Sequence, residues 1–177
     1  MDNYGTVNDS GVLRMERILP GPIERVWAYF VEPEKRATWM AGGTAARAPG
    51  DKIELHFNHI QLSGERAPER FSAFNERVQA VSHVIRIEPP KLLVMSWDDG
   101  GAAESEVSFE FTPQGDKATR LVLTHRLLPD RAQLLSHSSG WHTHLDVLED
   151  VLNERSPRPF WTNFLQREAS YEERLPA

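Results

Sequence analysis

The stretch Gly140-Trp-His-Thr-His-Leu-Asp-Val-Leu-Glu-Asp-Val-Leu152 constrains the fold more than any other part of the chain. Trp141, Leu145, Leu148 and Leu152 fall at i, i+4, i+7 and i+11, a one-sided apolar stripe at helical period. Asp146, Glu149 and Asp150 project from the other side, so the spacing predicts an amphipathic helix with one buried face. Nearly everything before it reads as strands. A single long helix laid across an antiparallel sheet is the two-layer solution for such a chain, which makes the fold class α+β.

The rest of the chain fits that frame. Residues 1–11 read as a flexible N-terminus, 12–156 as the domain, and 157–177 as an amphipathic C-terminal extension packed on the domain or on a partner subunit. Val12–Leu19 alternates with period two, placing Leu13 and Met15 on one face and Arg14 and Glu16 on the other. Pro20-Gly21-Pro22 stops this strand, and Pro22 opens a short helix that buries Val26, Trp27 and Phe30. Pro33 starts a second short helix carrying Trp39 and Met40, ended by Gly42-Gly43. Lys52–His59 alternates, with Ile53, Leu55, Phe57 and His59 on one face. Residues 60–75 carry turn formers around Phe71 and Phe74 and read as a long irregular loop, the kind that often serves as a lid. Strands are expected at Glu76–Glu88, Lys91–Trp97, Glu104–Phe111 and Ala118–Leu128, the second and third joined by a turn at Asp98-Asp99-Gly100-Gly101. Val107, Phe109 and Phe111 share one face, as do Leu121, Leu123 and His125. Hairpin-linked strands imply a curved antiparallel sheet.

Composition narrows the function classes. At 177 residues the chain can bury a core without covalent staples. It has no cysteine, which excludes disulfides, thiolate nucleophiles and thiolate metal sites. The net charge of −6 argues against a nucleic-acid role. No apolar run approaches the ~20 residues that span a bilayer, and no signal peptide is apparent, so membrane partners are set aside and a cytoplasmic location is expected. Ser10-Gly11, Ser63-Gly64 and Ser139-Gly140 lack the nucleophile-elbow pattern, and Gly42-Gly43 lacks a phosphate-binding context.

Several motifs carry a resemblance. Glu16-Arg17 followed by Pro22, Val26-Trp27, Pro33 and Trp39 resembles the opening of START-like helix-grip (SRPBCC, Bet v 1-like) proteins. The similarity is greatest to the branch related to the activator of heat shock protein 90 ATPase homologue and to polyketide-cyclase-like proteins. Ile87-Glu-Pro-Pro-Lys-Leu92, the strand pair Ser105–Phe111 with Leu121–His125, and Gly140-Trp141 with its leucine stripe match as well. The tail Pro157-Arg-Pro-Phe-Trp161 resembles extensions in bacterial members. The resemblance spans roughly residues 12 to 175. It implies a curved sheet wrapped around the long helix, two short helices after the first strand, and an apolar cavity between sheet and helix. Members bind lipids, steroids or hormones, cyclise polyketides, or assist chaperones, so the fold alone does not choose among these.

The chemistry-bearing candidates are histidines and aromatics. His142 and His144 lie ~200° apart around a helix, and His137 and His144 about two turns or ~10 Å apart. His56 and His59 point to opposite strand faces. No pair has metal-ligand spacing, and neither a metal nor a cofactor is expected. His125, by strand parity, and His144, on the edge of the helix stripe, are candidate polar handles of a pocket, with His59 a third. His137 joins them if Ser138-Ser139-Gly140 keeps the helical phase. The alternative is that these are core-edge histidines satisfied by backbone carbonyls or water. The expected cavity lining is Trp39, Phe57, His59, Trp97, Phe109, His125, Trp141, His144, Leu145 and Leu148. The leading expectation is binding of a small hydrophobic ligand, lipid-like, aromatic or polyketide-like. The alternatives are a cyclase or dehydratase using a cavity histidine, which needs an orienting carboxylate that Glu106 does not supply by parity, and a chaperone-associated interaction module. The aromatic tail Phe160–Tyr171 also allows a homodimer.

Overall fold

The computed structural model describes residues 3–97 and 105–176. The expected Asp98–Gly101 turn lies outside the described residues.

Eight strands form one antiparallel sheet: β1 (Thr6–Val7), β2 (Leu13–Pro20), β3 (Ala41–Gly43), β4 (Lys52–Phe57), β5 (Val78–Glu88), β6 (Leu92–Trp97), β7 (Ser105–Pro113) and β8 (Ala118–Arg126). Their spatial order is β1-β2-β8-β7-β6-β5-β4-β3. Strands β4 to β8 form a meander, whereas β2 lies beyond β8. Helices α1 (Ile23–Val31) and α2 (Pro33–Arg36) therefore carry the chain from one end of the sheet to the other. A register shift between Val84 and Arg86 interrupts the β5–β6 ladder, the kind of irregularity that bends a strand and adds curvature.

Strand parity sets the core. Leu13, Met15 and Leu19 of β2, Val107, Phe109 and Phe111 of β7, and Leu121 and Leu123 of β8 are all buried. Phe30 of α1 packs its ring 5.0 Å from Phe109 and 4.8 Å from Phe111. The turn from α2 into β3 is held by Arg36, which is buried and donates to the carbonyls of Ala41, Gly42 and Thr44 at 2.8–3.0 Å. Gly42-Gly43 does not simply end a helix; it is edge strand β3, paired with His56 and Leu55. Gly43 adopts φ +104°, and a Cβ there would sit 1.9 Å from the Glu54 carbonyl oxygen. Gly43→Ala should therefore open the β3–β4 edge and cost about 2–4 kcal/mol in denaturant unfolding; a loss below 0.5 kcal/mol would refute that close approach.

The long helix differs from expectation in two ways. It begins nine residues earlier, as α4 (Arg131–Leu152), because Asp130 caps it by accepting from the Gln133 backbone N–H at 2.8 Å. It also has no fully solvated face. Asp146 and Asp150 are buried because α5 (Phe160–Arg174) covers that side. Asp146 accepts from Asn163 Nδ2 at 3.0 Å and Arg167 Nη2 at 2.8 Å, while Asp150 accepts from Arg158 Nε at 2.7 Å. Phe160, Trp161, Phe164 and Tyr171 are buried within their own chain.

Two further expectations change. Residues 60–75 are not an irregular loop: α3 (His59–Ser63) and a 3-10 helix over Glu69–Asn75 occupy the segment, and His59 begins α3 instead of ending β4. The N-terminus is not a free lead-in, since β1 pairs with β2 and the Gly5 N–H donates to Tyr171 Oη at 2.7 Å.

Candidate functional site

A cavity of about 730 Å³ lies between the β4–β6 part of the sheet, the first half of α4, and the start of α5. Phe57 closes β4, Val78, Gln79, Ala80 and Val81 come from β5, and Trp97 ends β6. Gln133, Ser136, His137, Gly140, Trp141 and His144 come from α4, with spacing that keeps one helical face on the wall. Phe160, Trp161 and Phe164 of α5, Phe71 and Phe74 of the 3-10 helix, His59 of α3 and Met40 complete it. The backbone kinks at Phe71 (φ −115°, ψ 19°), and the Phe71 and Phe74 rings, with centroids 6.5 Å apart, both reach the wall. Gly140 sits where a Cβ would meet nothing within 4 Å, so the helix wall is open at that point.

The segment carrying α3 and the 3-10 helix is tied to α5 by polar contacts. Helix α5 has no capping side chain of its own. Glu65 takes that role, accepting from the backbone N–H groups of Trp161 and Thr162 at 2.7 and 3.0 Å, and Ser63 Oγ accepts from Phe160 N–H at 3.0 Å. Arg70 forms a two-point contact with Glu168. Phe71 stacks on Trp161 with ring centroids 5.3 Å apart.

Of the lining expected from the sequence, the structure brings Phe57, His59, Trp97, Trp141 and His144 to this cavity. Trp39, Phe109, His125, Leu145 and Leu148 are not on its wall. Trp39 is fully buried against Phe30, its indole N–H donating to the Tyr29 carbonyl at 2.8 Å. Phe109 lies under α1 and Trp141, and Leu145 and Leu148 face the filled part of the core. His125 is fully buried and its ring is held at both nitrogens. Trp141 Nε1–H donates to His125 Nδ1 at 2.9 Å, and His125 Nε2 lies 2.8 Å from Ser105 Oγ. The Ser105 hydroxyl in turn donates to the Trp97 carbonyl at 3.0 Å. His125 therefore orients Trp141, which is on the wall, and is not a handle itself.

Two of the cavity histidines, His144 and His59, are neutral at neutral pH. His144 Nδ1 donates to the Trp39 carbonyl at 2.7 Å, which leaves Nε2 as the accepting nitrogen. Burial pushes its pKa down to about 4, against the partial support of that hydrogen bond. Burial, aided by the neighbouring His144, pushes His59 down to about 3. His137, whose position depended on an unbroken helical phase, does line the cavity, with Nδ1 2.8 Å from the Gln133 carbonyl.

The sequence reading missed Phe71, Phe74, Phe160, Trp161, Phe164, Gly140 and the β5 residues as wall. The i, i+3 spacing of Phe71 and Phe74 could have found the first pair. The α5 residues had no signal, because only docking on α4 turns them toward the sheet. Elsewhere, His142 lies 3.6 Å from Asp146 and 2.9 Å from Tyr171 Oη, a histidine–carboxylate pair on the face of α4 away from the cavity. Among the described residues no group of three or more His, Cys, Asp or Glu side chains could hold a metal ion, and no helix is long and apolar enough to cross a membrane.

Comparison with known proteins places this architecture. The family model described as "Activator of Hsp90 ATPase homolog 1-like protein" matches residues 20–153. A solution structure of the protein encoded by gene BPP1335 from Bordetella parapertussis is 47% identical, with a TM-score of 0.84 over 99% of this chain and 92% of that one. CalU16 from Micromonospora echinospora is 21% identical, with a TM-score of 0.70 over 96% and 93% of the two chains. DynU16, from the dynemicin biosynthetic locus, is 18% identical with a TM-score of 0.66 over 87% of this chain and 51% of that one. The last two speak for the fold alone. No protein of curated function matches. The sheet gripping one long helix, the matched family model and the 47% identical relative together place this chain in the activator of Hsp90 ATPase homolog 1-like family of the START-like helix-grip superfamily.

Proposed function

We propose that the protein binds a small hydrophobic, ring-containing molecule in the cavity between the sheet, α4 and α5. The observation that carries this reading is the cavity itself: about 730 Å³, within the range of small-molecule sites, and walled mainly by aromatic rings. No Lys, Arg, Asp or Glu lies on the wall among the described residues. The family resemblance is compatible with ligand binding and with cyclase-type turnover alike. The histidines favour binding. A base whose conjugate acid is pushed to about 4 holds an abstracted proton poorly, and the histidine–carboxylate pair lies on the other side of α4.

Gly140 supplies the test. Gly140→Trp adds a large ring to the cavity from a helical position where a Cβ meets nothing. Replacing glycine inside a helix also gains up to about 1 kcal/mol of helix propensity. The variant should keep or raise the melting temperature while weakening binding of the neutral dye Nile red at least about tenfold, equivalent to about 1.4 kcal/mol. Fluorescence titration with both proteins decides it. Equal dye affinity in the two would remove the cavity as the binding site.

A further inference from the structure

The polar atoms on the cavity wall are not equally committed. His144 Nδ1 is engaged by the Trp39 carbonyl, and His137 Nδ1 lies at the Gln133 carbonyl. Two others are buried and meet no hydrogen-bonding group among the described residues: Trp161 Nε1 and His59 Nδ1. Both side chains are more than nine-tenths buried, and both belong to the wall. Their rings lie 5.3 Å apart, and the His144 ring lies 5.5 Å from that of His59. All three therefore crowd the end of the cavity where α3, α4 and α5 meet. Native interiors rarely leave such atoms unpaired, and a ligand atom that parts the two rings and enters between them would satisfy both.

Their chemistry restricts what that atom can be. An indole N–H only donates, whereas a neutral imidazole can accept. A hydroxyl does both things required: its oxygen accepts from Trp161 and its proton goes to His59. A carboxylate or phosphate would be buried with no cation on the described wall, and an ammonium with no anion. Burial also keeps both imidazoles uncharged at neutral pH, so neither offers an anion a counter-charge.

We infer that the cavity takes a neutral aromatic hydroxyl compound, with its hydroxyl lodged between Trp161 Nε1 and His59 Nδ1, and discriminates against acids of the same skeleton. This rests on the cavity being a ligand site, as proposed above. Three probes of one ring system test it at pH 7.5: 2-naphthol, naphthalene and 2-naphthoate, titrated by calorimetry and by tryptophan fluorescence. Two new hydrogen bonds should make 2-naphthol bind about tenfold more tightly than naphthalene, with 2-naphthoate weaker than either. Trp161→Phe keeps a ring and removes the donor, and His59→Phe removes the acceptor. In each, the preference for naphthol over naphthalene should fall to near one. Naphthoate binding as tightly as naphthol, or a preference that survives both variants, overturns the assignment. Naphthalene binding that Gly140→Trp abolishes, with no naphthol preference in the wild type, overturns the hydroxyl subsite while the cavity stands as a ligand site. Saturable binding of none of the three overturns both.

Discussion

Asp146→Asn is expected to destabilise the protein by about 3–5 kcal/mol, the cost of removing one partner from a buried ionic network. Asp146 is 3% exposed and accepts from Asn163 and Arg167, with Arg158 Nη1 at 3.6 Å and His142 Nε2 at 3.6 Å. Behind it on β2 lies Arg17, equally buried, whose side chain reaches the carbonyls of Asn3 and Glu16. Burial pulls the Arg17 guanidinium below its usual pKa, and the charge on Asp146 opposes that pull. Neutralising Asp146 thus leaves Arg167 without its carboxylate and removes the charge that supports Arg17, while Arg158 keeps Asp150. For a domain of this size each kcal/mol lowers the melting temperature by about 2–4 °C, so a fall of about 10 °C is expected. The surface pair Arg14–Glu16, with side chains 47% and 35% exposed, is the control: Arg14→Gln should change stability by less than about 1 kcal/mol. Equal effects for the two variants would mean that the buried network contributes nothing special.

The second large effect is with acid. His144 and His59 ordinarily titrate near 6.5, but in the folded protein they do so near 4 and near 3. Below pH 6.5 the unfolded chain therefore binds protons that the folded chain refuses. Stability consequently falls as pH drops, and continues to fall until the folded-state values are reached. A displacement of this size at His144 alone corresponds to about 3 kcal/mol lost between pH 6.5 and 4, and His59 adds a further loss reaching toward pH 3. In denaturant titrations from pH 7 to 4, the double variant His59→Phe/His144→Asn should show a flatter pH slope than the wild type, because both depressed imidazoles are gone while Asn keeps a donor for the Trp39 carbonyl. Identical slopes would assign the acid sensitivity to other groups.

Both effects involve residues whose role the chain order conceals. Asp146 and Asp150 stand on the polar side of an apparent amphipathic stripe, and by period alone they belong in water. Their burial follows from what comes after α4: Arg158, within the proline-rich break, holds Asp150, and Asn163 and Arg167 of α5 hold Asp146. A helical period reports which face is most apolar. It carries no information about whether a second element will cover the other face with complementary charge. The same blindness hid the wall of the site, because Phe160, Trp161 and Phe164 read as an extension packed somewhere on the domain or on a partner, and only the docking of α5 on α4 turns them toward the cavity.

Where local rules suffice, the residues were legible. Alternation in β7 and β8 placed Phe109, Phe111, Leu121, Leu123 and His125 inward, since side chains on a strand must point to opposite faces. The start of α4 was missed, although a local signal for it exists. Ser136 to Gly140 are weak helix formers, but Asp130 followed three residues later by Gln133 is an N-terminal signature, and Asp130 does cap the helix. What parity could not decide is which inward residues meet open space. Phe109 and Phe57 are both inward aromatics, yet the first lies under Phe30 and the second on the cavity wall.

The amino-acid sequence by itself determined the architecture: the inward faces of the strands, the long helix laid across them, and the absence of thiolate chemistry. These follow from periodicity and composition, which act over a few residues. Only the tertiary structure decided the site. Whether His125 is a handle or a brace, whether Trp161 is tail or wall, and whether Asp146 is solvated or buried depend on contacts between residues 15 to 100 positions apart, which close packing settles and no local pattern encodes.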